Sequence, residues 1–105
     1  MSATLSIVQD APRTYSLNVL HAQFWTNLSK LNEVERLLRT HGFKVDARDI
    51  EQCRLHVAYD AKKQSLDAIK HIASSYRWVP VAGKTGHYVG LAMVGGVMLE
   101  WESNP

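Results

Sequence analysis

A mainly antiparallel α/β fold follows from three patterns in these 105 residues. Two segments repeat apolar residues at helical spacing, several others alternate apolar and polar residues as half-buried strands do, and a Gly-Gly pair divides two such strands near the end. The order reads (β)βαββαββ. Two helices on one face of a mainly antiparallel sheet make the ferredoxin-like α+β sandwich. A chain of this length is expected to form one domain, residues 1–105.

The first segments, "TLSIVQ" (4–9) and "TYSLNVL" (14–20), read as strands joined through "DAPR". Residues 1–13 are expected either to add an edge strand or to form a flexible arm. In "AQFWTNLSKLNEVERLLRTHGF", Phe24, Leu28, Leu31, Val34 and Leu38 recur at intervals of four, three, three and four, on one helical face. Glu35 and Arg39 make an i,i+4 pair, and Gly42 suits the left-handed residue that ends a helix. The start falls at Ala22 or at Asn32, which has Glu35 three residues on as in a capping box.

Val45 and Ala47 then alternate with Asp46 and Arg48, a first strand of a pair. Cys53, Leu55, Val57 and Tyr59 alternate with Arg54, His56 and Ala58, and the turn between the two falls near Asp49–Gln52. In "DAKKQSLDAIKHIASSYRW", Leu66, Ile69, Ile72 (or Ala73) and Tyr76 form a second helical stripe, with Asp60 or Ser65 as N-cap. "HYVGLAMV" and "VMLEWE" flank Gly95-Gly96 as a two-residue hairpin.

Composition narrows the function classes. At 46% hydrophobic and 21% charged the chain has the balance of a folded domain, so disorder is not expected. Twelve Lys plus Arg against ten Asp plus Glu leave a formal charge of +2, too slight to demand nucleic acid. The one cysteine, Cys53, forms no internal disulfide, which fits a reducing cytoplasm. No apolar run approaches the ~20 residues that span a bilayer, and "MSATLSIVQDAPRTY" lacks the form of a secretory signal.

The stretch "VPVAGKTGHYVG" (79–90) contains Gly83-Lys84-Thr85, the tail of a phosphate-binding loop. A Walker A loop also needs a glycine five residues before its last one and a helix after it. Trp78 stands at the first position and a strand pattern follows, so the expectation is a glycine-rich turn. His21, His41, His56, His71 and His87 are scattered without metal-ligand spacing, so no metal or other cofactor is expected. Cys53 shares parity with Leu55 and Val57, which points it to the core as a small hydrophobe. No nucleophile elbow and no carboxylate couple is present, and an enzyme would have to assemble a pocket from residues such as His56, His87 and Glu100.

Residues 33–81, from "EVERLLRTHGF" through "WVPV", resemble the ACT type of small regulatory domain: a helix ending in "HGF", a pair of strands, and a second helix leading to a last strand. The resemblance implies a ferredoxin-like fold, and an amino-acid ligand or an edge-to-edge dimer. The glycine that such domains carry before the first helix is missing from "LNVLHAQFWTN", so no ligand residue is carried over.

The expected role is a small non-enzymatic binding or regulatory protein acting on a protein partner. Size and lack of motifs fit an inhibitor or adaptor encoded by a phage or other mobile element. The candidate surfaces are the last hairpin (Tyr88, Met93, Met98, Trp101), the loop around Lys84, and the stripe Lys63, Lys70, Arg77, spaced seven apart on one helix. Replacing Trp101 or Tyr88 by alanine is expected to break a complex while the monomer stays folded. The alternative is a nucleic-acid module using the same basic stripe. Edge strands also offer a homodimer by sheet extension.

Overall fold

The computed structural model describes residues 11–103. Along the chain run α1 (Ala11–Thr40), β1 (Lys44–Asp49), β2 (Arg54–Ala58), α2 (Asp67–Ile72), β3 (Ser75–Pro80), β4 (Tyr88–Val94) and β5 (Val97–Ser103). The strands form one sheet in the order β1-β2-β5-β4-β3. β2 and β5 run parallel, and the other neighbours are antiparallel. The mixed α/β architecture and mainly antiparallel sheet match the expectation; the (β)βαββαββ order does not. Among the described residues a helix precedes every strand, so the ferredoxin-like order does not form there. The helix, strand pair, second helix and strand of residues 33–81, on which the ACT resemblance rests, do follow one another as α1, β1, β2, α2 and β3, without a strand before the first helix. The expected strand at 4–9 lies outside the described residues.

Residues 14–20 belong to α1. "TYSLNVL" fits both periods: 15, 17 and 19 alternate, while 17, 20 and 24 continue the helical stripe. Helix nucleation is costly and elongation is not, so an ambiguous segment joined to a strong helix extends it. Pro12 falls in the first turn, where its missing N–H costs no intrahelical bond.

The second helix is also shorter than its stripe suggested. It ends at Ile72, where Ala73 turns to an extended conformation (φ −84°, ψ 140°). "SYRWVP", rich in residues that favour strands, becomes β3 and pairs with β4 from Ser75↔Met93 to Pro80↔Tyr88. Tyr76 had fitted the helical stripe because it too faces the core, from a strand.

The register sorts side chains onto two faces. Leu55, Leu99, Ala92 and Tyr76 form one row across β2, β5, β4 and β3, and Trp101, Gly90 and Trp78 the next. Over this face α1 packs Leu31, Val34 and Leu38, and α2 packs Ile69, giving one core. α1 lies over β1, β2 and β5, whereas α2 lies over β4.

Two turns lock the sheet. Val94 and Val97 pair around Gly95 (φ 56°) and Gly96 (φ 81°), whose left-handed backbones make the expected hairpin. The β1–β2 turn occupies Ile50–Cys53. Cys53 therefore closes the turn (φ 54°) instead of starting the strand, yet it is still half-buried against the core, with Sγ 3.7 Å from the Gly96 carbonyl oxygen.

Asn27 fastens α1 to that turn. It is 5% exposed, its Nδ2 donates to the Ile50 carbonyl at 2.7 Å, and Gln23 Nε2 donates to its Oδ1 at 2.8 Å. Asn27→Ala removes this bond while the Ile50 carbonyl keeps the Cys53 N–H at 3.2 Å, so it is expected to cost about 0.5–1.5 kcal/mol in urea unfolding. An unchanged midpoint would show the tether to be dispensable.

α1 is longer than the sheet can cover. Thirty residues make a rod of about 45 Å. The radius of gyration is 17.7 Å, against about 13 Å for a compact chain of this size. Residues 21–26 are all exposed, and burial begins at Asn27. Among the described residues, no helix is long and apolar enough to cross a membrane.

Candidate functional site

The eight residues singled out from sequence do not assemble into one site. Lys63 sits in the turn before α2, with its backbone N–H bonded to the Asp60 carbonyl at 3.0 Å. Lys70 lies on α2 with Nζ 5.3 Å from the Tyr76 ring centroid. Arg77 lies on β3, paired with Leu91. The seven-residue stripe is thus dispersed over a turn, a helix and a strand, because α2 stops before Arg77 is reached. Lys84 is in the β3–β4 loop, held by Lys84 N–H to Val81 O at 3.2 Å and His87 N–H to Lys84 O at 3.1 Å. That loop leads into β4 and not into a helix, so it lacks the row of N–H groups that cradles phosphate. Gly83 and Gly86 supply its left-handed bends.

Tyr88 opens β4 and is 42% exposed, whereas Trp101 is wholly buried. The expected exposed hairpin aromatic is a core residue: its ring centroid lies 5.7 Å from that of Tyr76 and 5.8 Å from that of Trp78, edge to face with the latter. Leu99 and Trp101 stand two apart on β5, so both side chains face inward. Burial pushes the Tyr76 hydroxyl above the ordinary tyrosine value of 10.0, and the neighbouring Tyr59 and Asp67 add to the shift. Among the described residues, the Tyr76 hydroxyl and Trp101 Nε1 are buried with no hydrogen-bond partner.

Met93 and Met98 oppose one another on β4 and β5 and share the other sheet face with Val79, Val89 and Leu91. No described helix covers this face. Its rim is ionic: Arg54 lies 3.7 Å from Glu100 and 4.0 Å from Asp49, and His56 Nδ1 lies 2.6 Å from Asp46 Oδ1. A β-bulge between Val45 and Ala47 brings Asp46 to His56, a cross-strand pair that linear spacing does not reveal. His56 and Glu100 are strand neighbours, but His87 lies beyond the far end of β5, next to the Tyr88↔Ser103 pair. The three do not form a pocket. Among the described residues no group of three His, Cys, Asp or Glu is placed to hold a metal.

Among the described residues, the most exposed large apolar groups are on the overhanging part of α1. Trp25 is 54% and Phe24 43% exposed, with ring centroids 5.3 Å apart at 87°, and His21 lies 6.0 Å from Trp25. Phe24 had been assigned to the core stripe; the stripe is real, but it outruns the sheet beneath it. The signal available in sequence was its length.

No family model matches this chain, and neither a curated protein nor a solved structure matches it.

Proposed function

We propose that this chain is a small non-enzymatic binding protein that engages a protein partner through the overhanging face of α1. What supports the reading is one observation: an edge-to-face Phe24–Trp25 pair, 43% and 54% exposed, on a helix segment that no described strand underlies, where Phe24 borders the β1–β2 turn at Ile50 and Glu51. Large aromatics contribute most of the binding energy at protein interfaces, and a helix offering an apolar face to a groove is a recurrent mode of recognition. The basic residues of a nucleic-acid reading stand on three different elements and give that alternative no comparable surface. Sheet extension has weaker support as well: the edge strand β1 carries Lys44, Asp46, Arg48 and Asp49, and the other edge strand, β3, carries Arg77 and ends in Pro80, features that discourage edge pairing.

The test places a photoreactive benzoylphenylalanine at position 25, and separately at the exposed position of Lys62, in cells that make the protein. Irradiation is expected to yield a discrete protein adduct from position 25 and none from position 62, and Phe24→Lys should abolish it. An adduct with a second copy would identify a homodimer. Equal labelling from both positions, or none, overturns the reading.

A further inference from the structure

We propose that a groove between α1 and β1 binds a phosphoryl dianion through Arg36, Arg39 and Arg48. The site is separate from the α1 overhang and does not depend on the reading of that surface.

Asn32, Arg36 and Arg39 recur at intervals of four and three, and so share a helix face that Glu35 borders. This face looks across to Arg48 of β1, and the five residues line a groove of about 320 Å³. That is the lower end of the size range of small-ligand sites, roughly 300–1,000 Å³. Three guanidinium groups against one carboxylate leave a local formal charge of +2.

Two of the three arginines, Arg39 and Arg48, are restrained by side-chain contacts. Glu35 is the fixed point, with a side chain only 12% exposed. Its Oε2 accepts from Arg39 Nη2 at 2.6 Å, and its Oε1 lies 3.7 Å from Arg48 Nε. Arg48 Nη2 also donates to Asn32 Oδ1 at 2.6 Å. These bonds use few of the five N–H donors on each guanidinium, and the remainder are available to an anion. Arg36 takes part in no ion pair among the described residues.

Such a pattern suits phosphate better than a single carboxylate. A phosphate monoester carries nearly two negative charges at neutral pH, which matches the local excess, and its oxygens accept paired N–H bonds from planar guanidinium groups. Glu35 restrains two of the three arginines before the anion arrives, which lowers the ordering cost of binding. The contacts that join α1 to β1 run from Arg48 to Glu35 and Asn32, and neither Arg36 nor Arg39 takes part in them.

The test follows the arginine Nε–H signals by NMR while inorganic phosphate or phosphoserine replaces chloride at constant ionic strength. Saturable shifts at Arg36, Arg39 and Arg48 are expected, with a dissociation constant of about 1 mM or tighter. Tighter binding of phosphoserine would point to a phosphoryl group on a larger molecule, and equal binding to free phosphate. Arg36→Gln, at an exposed unpaired position, should weaken binding about tenfold while Arg54→Gln leaves it unchanged. Shifts that fail to saturate by about 10 mM, or that are the same in Arg36→Gln, overturn the proposal.

Discussion

Replacing Trp101 by alanine is expected to remove about 3–5 kcal/mol of stability, the range for deleting a large buried aromatic. Domains of this kind hold only about 5–15 kcal/mol in all. The effect should therefore appear as a large fall in the urea midpoint of the circular dichroism signal, with little change in slope if unfolding remains two-state. The reason is placement: the indole is fully buried, flanked by the Tyr76 and Trp78 rings and laid over Gly90. Its Nε1 finds no partner among the described residues, so Trp101→Phe gives up volume but also removes a buried donor that these residues leave unsatisfied. That variant is expected to cost less than about 2 kcal/mol. A loss below about 1 kcal/mol for Trp101→Ala would show that the ring does not close the core. The sequence suggested the opposite experiment, in which a complex is lost and the monomer survives; burial of Trp101 makes the monomer itself the casualty.

This reversal shows where sequence patterns were informative. Alternation placed β2, β4 and β5, and Gly95-Gly96 marked their hairpin, because those signals are local and the backbone must satisfy them locally. The stripe Leu31, Val34, Leu38 correctly identified the core face of α1. The patterns that failed were ones in which two periods fit the same residues. Residues 14–20 satisfy both a strand and a helix, and the neighbouring helix decided the outcome. Tyr76 satisfied the α2 stripe and the β3 face equally, and pairing with β4 decided it. The site was less legible still. The Asp46–His56 contact depends on a bulge, and the Arg36–Arg39–Arg48 groove depends on β1 lying beside α1, a contact between residues on separate elements. Exposure of Phe24 and Trp25 follows only from how far the sheet extends, which no single segment encodes.

Gly90→Ala is the second large effect, and here two principles predict opposite signs. Glycine in a strand interior weakens it, and relative to alanine the penalty is about 0.5–1 kcal/mol, so propensity alone would make the substitution stabilising. Packing argues otherwise. A Cβ at this position would lie 2.2 Å from Trp101 Cε2 and 2.4 Å from both Cζ2 and Nε1. The obstacle is a rigid indole already wedged between Tyr76 and Trp78, so the ring cannot swing aside without disturbing both neighbours. Overpacking of this kind costs about 1–3 kcal/mol and sometimes more, which outweighs the propensity gain. Net destabilisation in urea unfolding is the expected result. The cause is isolated by repeating the change in the Trp101→Ala background, where the added methyl meets no ring and partly refills the vacated space. There Gly90→Ala should be neutral or stabilising, a coupling of about 0.5–3 kcal/mol between the two positions. If Gly90→Ala cost the same in both backgrounds, the fault would lie in the strand and not in the contact. The glycine would then be dispensable to the seating of Trp101.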